Sequence, residues 1–171
     1  MNGQKLIEIA RKLVGDEKGL LARDESNATC NKRFAAAGIP QTLEARRSYR
    51  ELIVTTASLG ACVSGAILYD ETIQQQRNDG TPLVKVLADT GVIPGVKGDI
   101  GAKDLAGQPG EKVAEGLDGL RDRLKEYLQI DARFAKWRAL VRSRHFAAGL
   151  GDMEGRADKS SGRPEGSLSS S

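Results

Sequence analysis

The sequence predicts an α/β fold built on a parallel sheet, and three observations carry that expectation. Four short apolar runs of strand length alternate with helical stretches over the first 141 residues, the order of βαβ units. Each run stops on charge, as in "GLLARDES", "SGAILYDE", "GVIPGVKGD" and "ARFAKWR". In parallel α/β sheets the groups of a site collect where strands end, at their carboxyl ends. The chain of 171 residues, 39% hydrophobic and 29% charged, is long enough for one domain with a core.

Lys5 to Val14 reads as an amphipathic helix, with Leu6, Ile9, Leu13 and Val14 at helical spacing and Gly15 stopping it. The first strand follows at Leu20 to Ala22. "PQTLEARRSYRELIVTTA" is a second helix, capped by Thr42, with Tyr49, Leu52 and Ile53 as its buried stripe. "ACVSGAILY" is the second strand. "DETIQQQRNDGTPLVKVLADTG" reads as a loop and a short helix closed by Gly91, and "VIPGVK" as the third strand. A long helix is expected in "LAGQPGEKVAEGLDGLRDRLKEYLQI", with Leu117, Leu120, Leu124 and Leu128 on one face, before the fourth strand "ARFAKWRALV". Residues 142–171, rich in Gly, Ser and Arg and of low complexity, read as a disordered tail.

The charge balance, Lys+Arg 26 against Asp+Glu 23 for a net +3, is interspersed, so neither nucleic acid nor an anionic membrane is called for as partner. No run reaches the roughly 20 apolar residues of a membrane span, the first residues lack the apolar centre of a signal peptide, and a cytoplasmic location is expected. Cys30 and Cys62 have no CxxC partner and read as reduced thiols. One histidine, His145, argues against a metal site and against a Ser/His/Asp triad.

Taken alone, Asp24 and Glu25 at the first strand end suit general acid or base work, and Lys97 at the third suits an electrostatic clamp. Lys136 and Arg138 at the fourth are two apart and share a strand face, where they repel unless an anion such as a phosphate lies between them. The plainer reading makes each of these groups a solvated strand end in an ordinary ion pair. Lys32 and Arg33 read singly as surface charge.

"LLARDES" followed by "NKR", then "GAILYDET", "DGTPLVKVLADTGVIPGVKGDIG", "LAGQPGEKVAEGLDGLRDRLKEY" and "FAKWR", resemble class I fructose-bisphosphate aldolase from about Leu6 to about Leu140. The resemblance implies a (β/α)8 TIM barrel and reversible aldol cleavage of fructose bisphosphate to dihydroxyacetone phosphate and glyceraldehyde phosphate. It implies a lysine Schiff base as electron sink, no metal and no other cofactor, and a homo-oligomer. Carried over by residue, it makes Asp24 the aspartate beside the Schiff base and Lys136 a second catalytic lysine. Lys97 and Arg138 become contacts to substrate phosphate and hydroxyls, and Ser26, Lys32 and Arg33 further phosphate-binding groups.

Two small departures from the family pattern are Arg23, where a small residue is usual, and Gly98, where a β-branched one is. An arginine directed at the helix layer is expected to need an anionic partner, and a strand glycine to loosen the ladder. The large departure is length. A full barrel takes about 250 residues, so residues 1–141 are expected to make only the first four βα units. The family's Schiff-base lysine, a glutamate acid/base and another phosphate loop belong to later strands, and the tail offers no match. A shifted reading frame or a truncated gene product is the expected origin of the tail. An inactive fragment, or an interaction module that joins intact aldolase subunits through open sheet edges, is therefore the alternative to an active enzyme.

Overall fold

The computed structural model describes residues 3–140, so the tail expected over 142–171 lies outside the described residues. In chain order the elements are α1 (Gly3–Val14), β1 (Gly19–Arg23), α2 (Asn27–Ala36), α3 (Leu43–Val54), α4 (Leu59–Cys62), β2 (Val63–Leu68), α5 (Asp70–Gln74), α6 (Leu83–Asp89), β3 (Ile93–Lys97), β4 (Gly101–Asp104), β5 (Lys112–Glu115), α7 (Leu120–Gln129) and β6 (Phe134–Lys136). One sheet runs in the order β1-β2-β3-β6 with every neighbour parallel. Parallel neighbours require crossovers, and helices supply them. β4 and β5 pair only with each other, as an antiparallel hairpin between β3 and α7.

The two faces of the sheet are built differently. On the helix side Ala66, Leu68 and Val96 pack with Val54, Ile73, Leu83, Leu87, Val92 and Tyr127 in one cluster. Fully burying each large apolar side chain there contributes about 1.5–3 kcal/mol. The opposite face carries Leu20 and Ala22 of β1, Gly65 and Ile67 of β2, Gly95 and Lys97 of β3, and Phe134 and Lys136 of β6, by strand alternation and the pairing register. Phe134 lies over Gly95, where an added Cβ would meet its ring at 2.4 Å, and beside Gly65. Leu13 of α1 also reaches Gly65, and the Ser64 hydroxyl donates to the Leu13 and Gly19 carbonyls at 2.8 and 3.2 Å, which seats α1 against this face.

Several sequence expectations need correction. α1 ends at Val14 as expected and begins two residues earlier, at Gly3, yet it buries none of its residues: Leu6 is 54% exposed and Val14 83%. Thr42 caps α3 by accepting from the Ala45 N–H at 3.1 Å, as expected. The buried face of α3 is Arg46, Arg50 and Val54, whereas Leu52 is exposed. Arginines take the inner face because Glu71 of α5 meets them there: Arg46 donates from Nε and Nη2 at 2.9 and 2.8 Å, and Arg50 also pairs with it. The stretch 105–130, where a long helix is expected, holds the turn and second strand of the hairpin and then a 10-residue helix. Gly116 and Gly119 at positive φ break the helical path, and Leu117 lies outside α7, exposed. Leu124 and Leu128 remain partly exposed, and Tyr127 is the buried residue of α7. β6 has only three residues, so Arg138 falls past its end.

Candidate active site

A cavity of about 750 Å³ opens at the carboxyl ends of the four parallel strands. Asp24 is the first residue after β1, and the strand alternation that exposes Leu20 and Ala22 on the inner face carries Asp24 to the same side. Lys97 and Lys136 end β3 and β6 and are register partners. Two ammonium groups side by side on neighbouring strands repel. Each has a carboxylate of its own: Lys136 Nζ lies 2.5 Å from Asp24 Oδ2, and Lys97 Nζ pairs with Asp99. The cationic pair anticipated at Lys136 and Arg138 is thus replaced by Lys97 and Lys136, because β6 stops before Arg138.

Asp99 is the group the sequence reading missed. Its side chain is fully buried and accepts from Lys97 Nζ, from the Gly101 N–H at 3.1 Å and from the Arg138 N–H at 3.3 Å. Burial pushes its carboxyl up, but the Lys97 ammonium and the two amide donors outweigh that and hold it below the ordinary carboxylate value. The signal was present in the charged end of "GVIPGVKGD", where the last residue was given no role.

Ser26 caps α2, accepting from the Thr29 N–H at 3.3 Å, and its Oγ lies 3.0 Å from Thr29 Oγ1. Both hydroxyls line the cavity, with Arg33, Lys97, Lys136 and Arg138. Arg33 is largely exposed and reaches back to the half-buried Glu25 at 3.0 Å. Lys32, one residue earlier on the helix, is exposed and does not line the cavity. Of the eight residues singled out from sequence, Glu25 among them, seven line this mouth, and Lys32 does not.

Behind the mouth two arrangements fix the backbone that presents these groups. Arg50 donates to Asn27 Oδ1 at 2.8 Å and Asn27 donates to Glu71 Oε2 at 2.7 Å, tying the turn that bears Asp24 and Ser26 to α3 and α5. Burial raises the Glu71 carboxyl, and the Arg46 and Arg50 guanidinia more than reverse it, leaving it lowered. Arg123 of α7 donates to the Gly98 and Gly116 carbonyls at 3.1 and 2.6 Å, joining the β3 end to the hairpin. Tyr127 donates to Asp70 at 2.8 Å, and burial together with that carboxylate pushes its phenol well above the usual value. No group of three or more His, Cys, Asp or Glu among the described residues is placed to hold a metal ion.

The family model for class I fructose-bisphosphate aldolase matches residues 5–151, most of the chain. The chain belongs to this aldolase family. A probable class 1 fructose-bisphosphate aldolase of Xanthomonas campestris is 55% identical over 141 residues, which cover 82% of this chain and 42% of that protein. Fructose-bisphosphate aldolase 2 of Plasmodium berghei is 50% identical over 138 residues, 81% of this chain and 37% of that one. The solved Plasmodium falciparum fructose-bisphosphate aldolase, in complex with TRAP and a small-molecule inhibitor, superposes with a TM-score of 0.77 at 46% identity, over 80% of this chain and 39% of that one. The aldolase chain described here therefore spans about two fifths of the relatives it matches.

Its two small departures from the aldolase pattern resolve differently from expectation. Arg23 does turn to the helix side, but its partner is aromatic. Its guanidinium lies 4.7 Å from the Tyr49 ring centroid and donates to the Tyr49 hydroxyl at 3.3 Å, with no ion pair to Arg23 among the described residues. Gly98 lies one residue past β3 and still donates to the Lys136 carbonyl at 2.8 Å, so the ladder is not loosened there.

Proposed function

We propose that the mouth binds a phosphosugar of the fructose bisphosphate type, as one half of a class I aldolase site. The observation that carries the reading is the Asp24–Lys136 pair, an acid and a base 2.5 Å apart at the ends of β1 and β6 with hydroxyl donors and further cations around them. Asp24 would accept and return a proton at the sugar hydroxyl adjoining the bond that breaks. Lys136 would stabilise the developing negative charge, and Ser26, Arg33, Lys97 and Arg138 would hold phosphate and hydroxyl oxygens. The sheet corresponds to the first four βα units of a TIM barrel. The Schiff-base lysine implied by the resemblance belongs to a later strand, so this polypeptide by itself binds substrate without turning it over, in the cytoplasm and with no cofactor.

Borohydride reduction in the presence of dihydroxyacetone phosphate tests this. The expected intact mass is unchanged, while calorimetry detects fructose bisphosphate binding that Lys136→Met and Asp24→Asn weaken. A reduced adduct on any lysine would place catalysis within the 171 residues, and absence of binding would remove the phosphosugar reading. A second reading is favoured by the β1 and β6 edges, each unpaired on one side among the described residues, and by exposed Leu20 and Leu124. In that reading the chain joins intact aldolase subunits, and co-elution with a full-length aldolase is its test.

A further inference from the structure

Lys97 lines the cavity, but Asp99 occupies most of its ammonium and limits what it offers to phosphate. Its ammonium has three N–H donors. One is taken by the Asp99 main-chain carbonyl at 2.8 Å and another by the Asp99 carboxylate, so one remains for the cavity. The Lys97 side chain is 12% exposed and that of Asp99 0%, so their charges face each other where water screens little. Lys136 is matched by Asp24 in the same way. Among the cavity cations, Arg138 is exposed with its main-chain N–H turned to Asp99, and Arg33 is shared with Glu25.

We propose that Asp99 is a positioning residue that fixes both the direction and the net charge of Lys97, so that Lys97 acts as a single aimed donor to a neutral hydroxyl or carbonyl oxygen rather than as a phosphate clamp. This rests on the phosphosugar reading for its purpose, but not for its test. Asp99 also joins the end of β3 to the start of the hairpin and to the segment after β6, through the Gly101 and Arg138 amides, so one carboxylate sets the spacing of three wall segments. The carboxylate therefore limits how strongly the mouth attracts free anions, leaving phosphate to the exposed guanidinia at the rim.

The test measures inorganic phosphate binding to the full chain by calorimetry. Asp99→Asn releases one positive charge into the cavity, and phosphate binding is expected to tighten roughly three- to tenfold, with a steeper loss in salt. A structural role alone would weaken it. If Asp99→Asn does not fold, Lys97→Met and Lys97→Met/Asp99→Asn carry the test. The single variant leaves a buried anion and is expected to lose phosphate affinity, and the double variant returns to near the wild-type value. Equal or weaker phosphate binding by Asp99→Asn, no phosphate binding by it at all, or a double variant as poor as Lys97→Met overturns the proposal. Wild-type binding of fructose bisphosphate, measured separately, decides the phosphosugar reading.

Discussion

Single residues here repeatedly serve as counter-charges. Glu71 receives two buried guanidinia, and replacing it leaves both without an anion. Glu71→Ala is expected to destabilise the fold by about 3–5 kcal/mol, read as a loss of chemical-denaturation midpoint. Glu71 and Asp99 are both held below their ordinary values of 4.5 and 3.8. A carboxyl with a lowered folded value binds fewer protons folded than unfolded. Its contribution is therefore complete above the ordinary value and is lost as pH falls through the lowered one. Acid unfolding monitored by circular dichroism should begin below about pH 4.5, and Glu71→Gln should flatten the curve there. Gly98 makes the opposite case, since an added Cβ would meet only ordinary contacts, the nearest at 3.4 Å, and its φ is not positive. Gly98→Ala is expected to be neutral or to stabilise by up to about 1 kcal/mol in a thermal melt, through the unfolded chain. The sequence shows such residues as charges, but not whom they face. Asp24 and Lys136 were found because strand ends converge. Asp99 and Glu71 were not, because their partners depend on where other strands and helices arrive.

At the level of elements, legibility followed periodicity. α1, α3 and the four sheet strands were readable because apolar spacing and a side-chain cap mark them, and their parallel arrangement follows from alternation. The helix expected within residues 105–130 extends too far toward the N-terminus, because Leu117 falls in the same period as Leu120, Leu124 and Leu128, which do lie on α7, and nothing in that period marks the second hairpin strand Lys112–Glu115. The positive-φ glycines at 107, 110, 116 and 119 are the signal that outranks it. Burial was harder to read than structure type. Leu52 and Leu6 have the right spacing and are exposed, since apolar identity does not say which neighbour lies across. The contact between β3 and β6 gives a sharp expectation. A methyl group at Gly95 enters the Phe134 ring, so Gly95→Ala should cost about 1–3 kcal/mol by denaturation, and Gly95→Ala/Phe134→Leu should recover part of it.

Among the described residues the parallel sheet has four strands, clothed on one face and partly bare on the other. Leu20 is 50% exposed on β1, and the outer strand β6 borders a cleft with Leu124, Leu128 and Ala135. Such edges invite pairing. Light scattering of the 171-residue chain should show concentration-dependent association, which Ala135→Lys on β6 reduces. The placement of α1 has a bearing on how the chain is made. Its seat is Ser64 and Gly65, some fifty positions further along, and β1 likewise has no partner until β2 exists. α1 thus travels bare while the fifty residues that follow it are translated, and a pause in synthesis before residue 63 would prolong its exposure to chaperones and proteases.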